Sequence, residues 1–149
     1  MRKIVMASAL VPAVLALAAC GSKQPQDDTP SDGAAEEPAV AVTFADLSGD
    51  AASGERVFGQ CRACHLVEEG KNAVGPSLYG VIGRDAGSIE GFRYSDANAN
   101  IGVTWTPEVM YEYLEAPREF MPGTRMAFPG LKNPQDRADV IAYLDAADD

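Results

Sequence analysis

Hydrophobic and polar positions divide the chain into three unlike stretches. Residues 4–19 are predominantly apolar, interrupted by Pro12. Residues 21–47 scatter small apolar residues among Pro, Asp and Glu, and a helical periodicity sets in beyond Asp50. There Gly54, Val57, Phe58 and Cys61 recur at i, i+3, i+4 and i+7, one face of a helix for which Asp50 is a suitable N-cap. After His65, Gly, Asn and Pro punctuate the chain through Gly91 and predict loop. A short helix is expected over Ser95 to Asn100. Thr106-Pro107-Glu108 combines a capping hydroxyl, a proline for the first turn and an acid beside the helix N-terminus. The helix it opens carries Met110, Tyr113 and Leu114 on one face and stops before Pro117. Asn133-Pro134 with Asp136 opens a last helix, with Val140, Tyr143, Leu144 and Ala147 as its apolar stripe. No alternating run predicts a strand. The expected fold class is all-α, small and loop-rich.

The N-terminal stretch reads as an export signal. Arg2 and Lys3 form a positive n-region before the apolar segment, which falls just short of the ~17–25 residues that span a bilayer. Its end, Leu17-Ala18-Ala19-Cys20, resembles the lipobox of bacterial lipoproteins, in which cleavage precedes the Cys and the thiol takes a diacylglycerol. An ordinary signal cut after Ala18 or Ala19 and an uncleaved anchor are the other readings. The acidic, Pro-rich stretch that follows has too little apolar surface to order itself. It is expected to be a tether, about 27 residues with a root-mean-square reach of roughly 30 Å. The boundaries are therefore residues 1–19 for the signal, 20–48 for lipidated Cys20 and tether, and 49–149 for one folded domain.

The chemistry centres on Cys61-Arg62-Ala63-Cys64-His65, the Cys-x-x-Cys-His attachment signature of a c-type haem. Two thiols separated by two residues can add to the two vinyl groups of one haem, and the His that follows is placed as an iron ligand. His65 is the only histidine in the chain. A structural zinc site needs four ligands, and the one other cysteine is the distant Cys20. A thioredoxin-like pair would sit in a βαβ pattern that is missing here, and a plain disulfide leaves His65 unexplained. The formal net charge of −10 argues against nucleic acid as a partner.

A lone histidine leaves the sixth iron position to a methionine beyond the signal: Met110, Met121 or Met126. Met110 sits at core spacing with Tyr113 and Leu114, whereas Met126 lies just past the turn Pro122-Gly123-Thr124. The stretch Phe120 to Phe128 resembles the methionine-ligand loop of class I cytochromes c, of the mitochondrial and bacterial short-chain type. In that family the Met of Pro-Gly-Thr-Lys-Met binds iron, which implies that role for Met126, with Thr124 beside the haem, Arg125 in place of the usual Lys, and Met121 in packing. The resemblance runs from Asp50 to Ala146. Gly75-Pro76-Ser77-Leu78-Tyr79-Gly80 and Gly83-Arg84 match the loop under the proximal His, where Pro76 would accept a hydrogen bond from the imidazole. Residues 91–105 match the segment around the haem propionates. This implies contacts from Tyr94, Asn98 and Trp105, with Arg84 offsetting charge and Tyr113 reaching toward Met126.

A haem iron ligated by both His65 and Met126 has no open position, so the expected function is one-electron transfer rather than catalysis. A haem peroxidase or gas sensor with a labile sixth ligand, or an assembly protein that carries haem, are the competing classes. By resemblance, the partners are a quinol–cytochrome c reductase and a haem–copper oxidase or photosynthetic reaction centre, met in the bacterial periplasm at the membrane that the lipid anchor holds. From Asp50 onward, 9 Lys and Arg stand against 16 Asp and Glu, unlike the basic mitochondrial type. Lys71, Arg118, Arg125 and Lys132 nonetheless fall where the family has its basic rim, and they are candidate docking residues.

Overall fold

The computed structural model describes residues 42–148. The expected signal, Cys20 and the expected tether as far as residue 41 lie outside the described residues. Among the described residues there are five α-helices: α1 Ala51–Phe58, α2 Asp96–Asn100, α3 Pro107–Glu115, α4 Pro117–Phe120 and α5 Pro134–Asp145, with 3₁₀ turns at Phe44–Asp46 and Ala146–Asp148. Four of the five are started by a capping side chain. Asp50, Thr106 and Asn133 stand where the sequence predicts the starts, whereas Ser95, expected within its helix, is the residue just before it. Asp50, Ser95, Thr106 and Asn133 accept from backbone N–H groups of the first turns of α1, α2, α3 and α5. The nearest thing to a strand among the described residues is one isolated antiparallel bridge, Asp85 to Thr104. It is flanked by Gly83 N–H to the Trp105 carbonyl and Trp105 N–H to the Arg84 carbonyl, both 2.9 Å. No helix among the described residues is long and apolar enough to cross a membrane.

The principal packing contact is α1 against α5. Gly54 makes it possible, because a Cβ there would lie 2.0 Å from the Asp139 carbonyl oxygen and 2.8 Å from Tyr143 Cβ. One turn further on, Phe58 is buried and stacks on Tyr143 with ring centroids 5.2 Å apart. Asp139 adds a polar tie: its carboxylate accepts from the Asp50 N–H at 2.9 Å and from the Gln135 amide at 2.7 Å. The α5 stripe differs from the expected one. Ile141 is buried alongside Val140 and Leu144, Tyr143 is only half-buried, and Ala147 falls in the 3₁₀ turn past the helix. Helix α5 is packed from several sides, so no single stripe describes it.

The folded body also begins earlier than the expected boundary at residue 49. Phe44 packs on Tyr111 with centroids 5.5 Å apart, the Tyr111 hydroxyl donates to the Val42 carbonyl at 3.2 Å, and Leu47 rests on the core. Thr43 and Asp46 form a reciprocal capping box around this short turn. Residues 42–48 are thus held on α3 by Phe44 and tied to α5 by Gln135 Nε2, which donates to the Ser48 carbonyl at 2.8 Å, and the last part of the expected tether is folded.

Replacing Gly54 by Val forces α1 off α5. The expected loss is about 1–3 kcal/mol or more, read as a fall in Tm in a thermal melt. An unchanged Tm would show that the contact is not as tight as the structure indicates.

Candidate functional site

Helix α1 ends at Phe58, but its turns continue into the Cys-x-x-Cys-His segment. Cys61 N–H donates to the Phe58 carbonyl at 2.8 Å and His65 N–H to the Cys61 carbonyl at 2.9 Å. Both thiols are free, with Cys64 exposed and Cys61 half-buried. Burial, and then the neighbouring Cys64, push the Cys61 thiol above its usual range. The segment opens on a cavity of about 610 Å³. Every residue expected at the cofactor lines it: Cys61, Cys64, His65, Pro76, Arg84, Tyr94, Asn98, Trp105, Tyr113, Thr124 and Met126. The apolar wall between them includes Val81, Met110, Leu131, Val140 and Leu144.

On the His65 side, Nδ1 lies 2.8 Å from the Pro76 carbonyl oxygen. A carbonyl can only accept, so Nδ1 carries the proton and Nε2 keeps its lone pair. Burial, only partly opposed by that carbonyl, holds the imidazole pKa below its ordinary value, which favours the neutral ring a metal requires. Gly75 lies flat against this ring. A Cβ there would come within 2.3 Å of Cε1 and 2.7 Å of Nδ1, so no other residue allows so close an approach.

On the Met126 side, the Tyr113 hydroxyl donates to the thioether sulfur at 3.6 Å. Met126 N–H returns to the Thr124 hydroxyl at 3.2 Å. Tyr113 is itself wedged between Trp105 and Phe120, with centroids 4.8 and 5.6 Å away. Arg125 donates to the carbonyls of Arg93 (2.9 Å) and Tyr94, tying the methionine loop to the segment before α2. Met121 is buried in packing, as the resemblance implied, and Met110 is buried in the core, as its spacing suggested, and also forms part of the wall.

At the polar end, Arg84 donates to the Tyr79 and Ser77 carbonyls at 2.6 and 2.9 Å, and burial depresses its pKa. Asn98 Oδ1 is buried with no hydrogen-bond partner. An orphaned acceptor, a ring cradled by glycine, two thiols at one rim and apolar walls together fit a flat macrocycle held covalently, with polar groups at one edge. They do not suit a bare ion: among the described residues no three His, Cys, Asp or Glu groups gather where they could hold one.

Comparison with known proteins agrees. Residues 51–148 match the cytochrome c family. This chain belongs to the cytochrome c family. It is 56% identical over 96 residues to cytochrome c2 of Blastochloris viridis, covering 64% of this chain and 76% of that protein. It is 60% identical over 80 residues to cytochrome c of Trypanosoma brucei brucei, covering 54% and 86%. Among solved structures, cytochrome cH from Methylobacterium extorquens superposes with a TM-score of 0.63 at 45% identity, covering 66% of this chain and 99% of that one. The family carries a covalent c-type haem, and Cys61 and Cys64 fit its attachment motif. Like these cytochromes, the chain is an electron carrier and not an enzyme. When bound, the haem supplies an iron that cycles by one electron, and the residues above would hold it.

The four candidate docking residues differ in their surroundings. Lys71 pairs with Glu68, Lys132 donates to the Glu115 carbonyl at 2.8 Å, Arg118 is exposed, and only Arg125 also lines the cavity. Sequence reasoning missed Val81, Leu131 and Phe128 in the wall, and the buried Ser77 beside it. The three wall residues sit in loops, where no periodicity marks an apolar side chain as inward-facing.

Burial raises the Tyr113 pKa from 10.0 to about 12. The neutral phenol is therefore favoured in the fold, and this stability is fully present below pH 10 and lost as pH rises through about 12. Unfolding midpoints in urea between these limits should fall by the equivalent of about 2–3 kcal/mol. Tyr113→Phe should lack that slope and start about 0.5–1.5 kcal/mol lower at neutral pH. Parallel slopes in the two proteins would contradict the assignment.

Proposed function

We propose that His65 and Met126 fill both axial positions of the haem iron. The protein then passes single electrons from a quinol–cytochrome c reductase to a haem–copper oxidase or a photosynthetic reaction centre. The observation that carries this reading is the pairing of two prepared donors on one cavity: an imidazole whose Nδ1 is committed to Pro76, and a thioether held by Tyr113. With both positions filled there is no site for oxygen or peroxide, and a thioether ligand in an apolar pocket favours the reduced state. The remaining chemistry is electron transfer with little rearrangement of the ligands. Arg118, Arg125 and Lys132, which face neutral partners or solvent, are the docking cations of this reading, and Lys71 is largely offset by Glu68.

The N-terminal sequence supports a carrier lipidated on Cys20 and held at the outer face of the cytoplasmic membrane, in the bacterial periplasm. Such a head meets partners in the same membrane at high effective concentration. The cytochrome c2 relatives are compatible with that setting.

Carbon monoxide tests the ligation. Reduced wild type should bind it slowly at neutral pH, and Met126→Ala rapidly. Rapid binding by the wild type would favour the peroxidase or gas-sensor reading instead. Cell fractionation tests the anchor: covalent haem should follow the membrane in wild type and be released, or remain as precursor, in Cys20→Ser. Soluble haem protein in both strains would replace the anchored carrier by a diffusing one.

A further inference from the structure

We propose that Asn72 and Ser77 are positioning residues that set how strongly His65 donates to iron. This rests on His65 being the iron ligand, as proposed above. The Pro76 carbonyl that receives the imidazole proton belongs to the same planar peptide unit as the Ser77 N–H, because a peptide plane runs from one residue's carbonyl to the next residue's nitrogen. That N–H donates to Asn72 Oδ1 at 2.9 Å. In a trans unit the two groups point in opposite directions, so the plane is gripped at both ends, by Asn72 on one side and by His65 Nδ1 at 2.8 Å on the other. A hydrogen bond to the N–H also draws charge onto the carbonyl oxygen and makes it a better acceptor.

Ser77 anchors this plane. It is a loop serine only 3% exposed, and all its polar groups are used. Besides the bond to Asn72, its hydroxyl donates to the Glu68 carbonyl at 2.6 Å and accepts the Tyr79 N–H at 3.2 Å, while its carbonyl takes Arg84 at 2.9 Å. A side chain that served packing alone would not need two hydrogen-bond partners, one of them nine residues away. The stronger the Pro76 acceptor, the more imidazolate character His65 gains, the better the ferric iron is stabilised, and the lower the reduction potential.

The test is a redox titration of the intact haem protein, with NMR of the ferrous form to follow the His65 ring resonances and exchange of the Nδ1 proton. Asn72→Ala should raise the potential and speed that exchange. Asn72→Asp, which keeps the acceptor, should not raise it. Ser77→Ala should shift the potential in the same direction as Asn72→Ala, and if it fails to fold the Asn72 pair still decides. Lowered melting temperatures with unmoved potentials and exchange would make both residues merely structural and overturn the proposal. Absence of a histidine-ligand signature in the wild type would instead overturn the ligation itself.

Discussion

A space of about 610 Å³ lies at the centre of this domain, and the helices do not close it. Protein interiors are packed as tightly as organic crystals, so space of that size needs an occupant. The residues around it are arranged accordingly. Helix packing is confined mainly to α1 and α3 against α5, and much of the remaining wall is loop held in place by hydrogen bonds and by aromatic contacts. The two thiols on the rim explain how such a wall keeps its occupant: covalent attachment prevents the loss that would leave the loops without a core.

The same constraint organises the polar groups. A neutral imidazole and an unpaired amide oxygen would each be a liability in a self-sufficient core, where a thioether would serve only as packing. Here each faces the cavity, and each is positioned by a partner behind it. Pro76 stands behind His65, Tyr113 behind Met126, and the Ser95 cap fixes the helix that carries Asn98. The acidic surface is a separate matter. It keeps the domain soluble and leaves few cations uncommitted, so whatever steering it supplies is weaker than a ring of lysines would give.

Much of this was legible in the sequence wherever a signal is local. Asp50, Thr106 and Asn133 announce helix starts because a capping side chain bonds within its own turn. Cys61, Cys64 and His65 announce the cofactor because the chemistry dictates their spacing. The loop residues Pro76, Arg84, Tyr94 and Met126 needed the family resemblance, since nothing in their neighbours' periodicity says that distant loops converge. Three features escaped both routes. Phe44 and Leu47 sit in an acidic, proline-rich setting too short to show a period; Phe44 packs on the distant Tyr111 and Leu47 on the core. Ile141 joins the core because α5 is packed from several sides, which defeats a single-stripe template. Arg137, a cation in mid-helix, reads as surface. It is buried because Glu115, the Leu131 carbonyl and the face of Tyr111 surround its guanidinium, with its carbon 4.2 Å from the ring centroid.

If the occupant is what completes the core, the direct measurement is the folding of a chain that cannot retain it. Far- and near-ultraviolet circular dichroism with thermal melting should be compared between the haem-loaded protein and the Cys61→Ala/Cys64→Ala variant freed of haem. The account requires the haem-free chain to lose its near-ultraviolet signal and its cooperative transition. Wild-type helix content with a sharp melt near the wild-type Tm would show that the polypeptide closes its own core, and would contradict it.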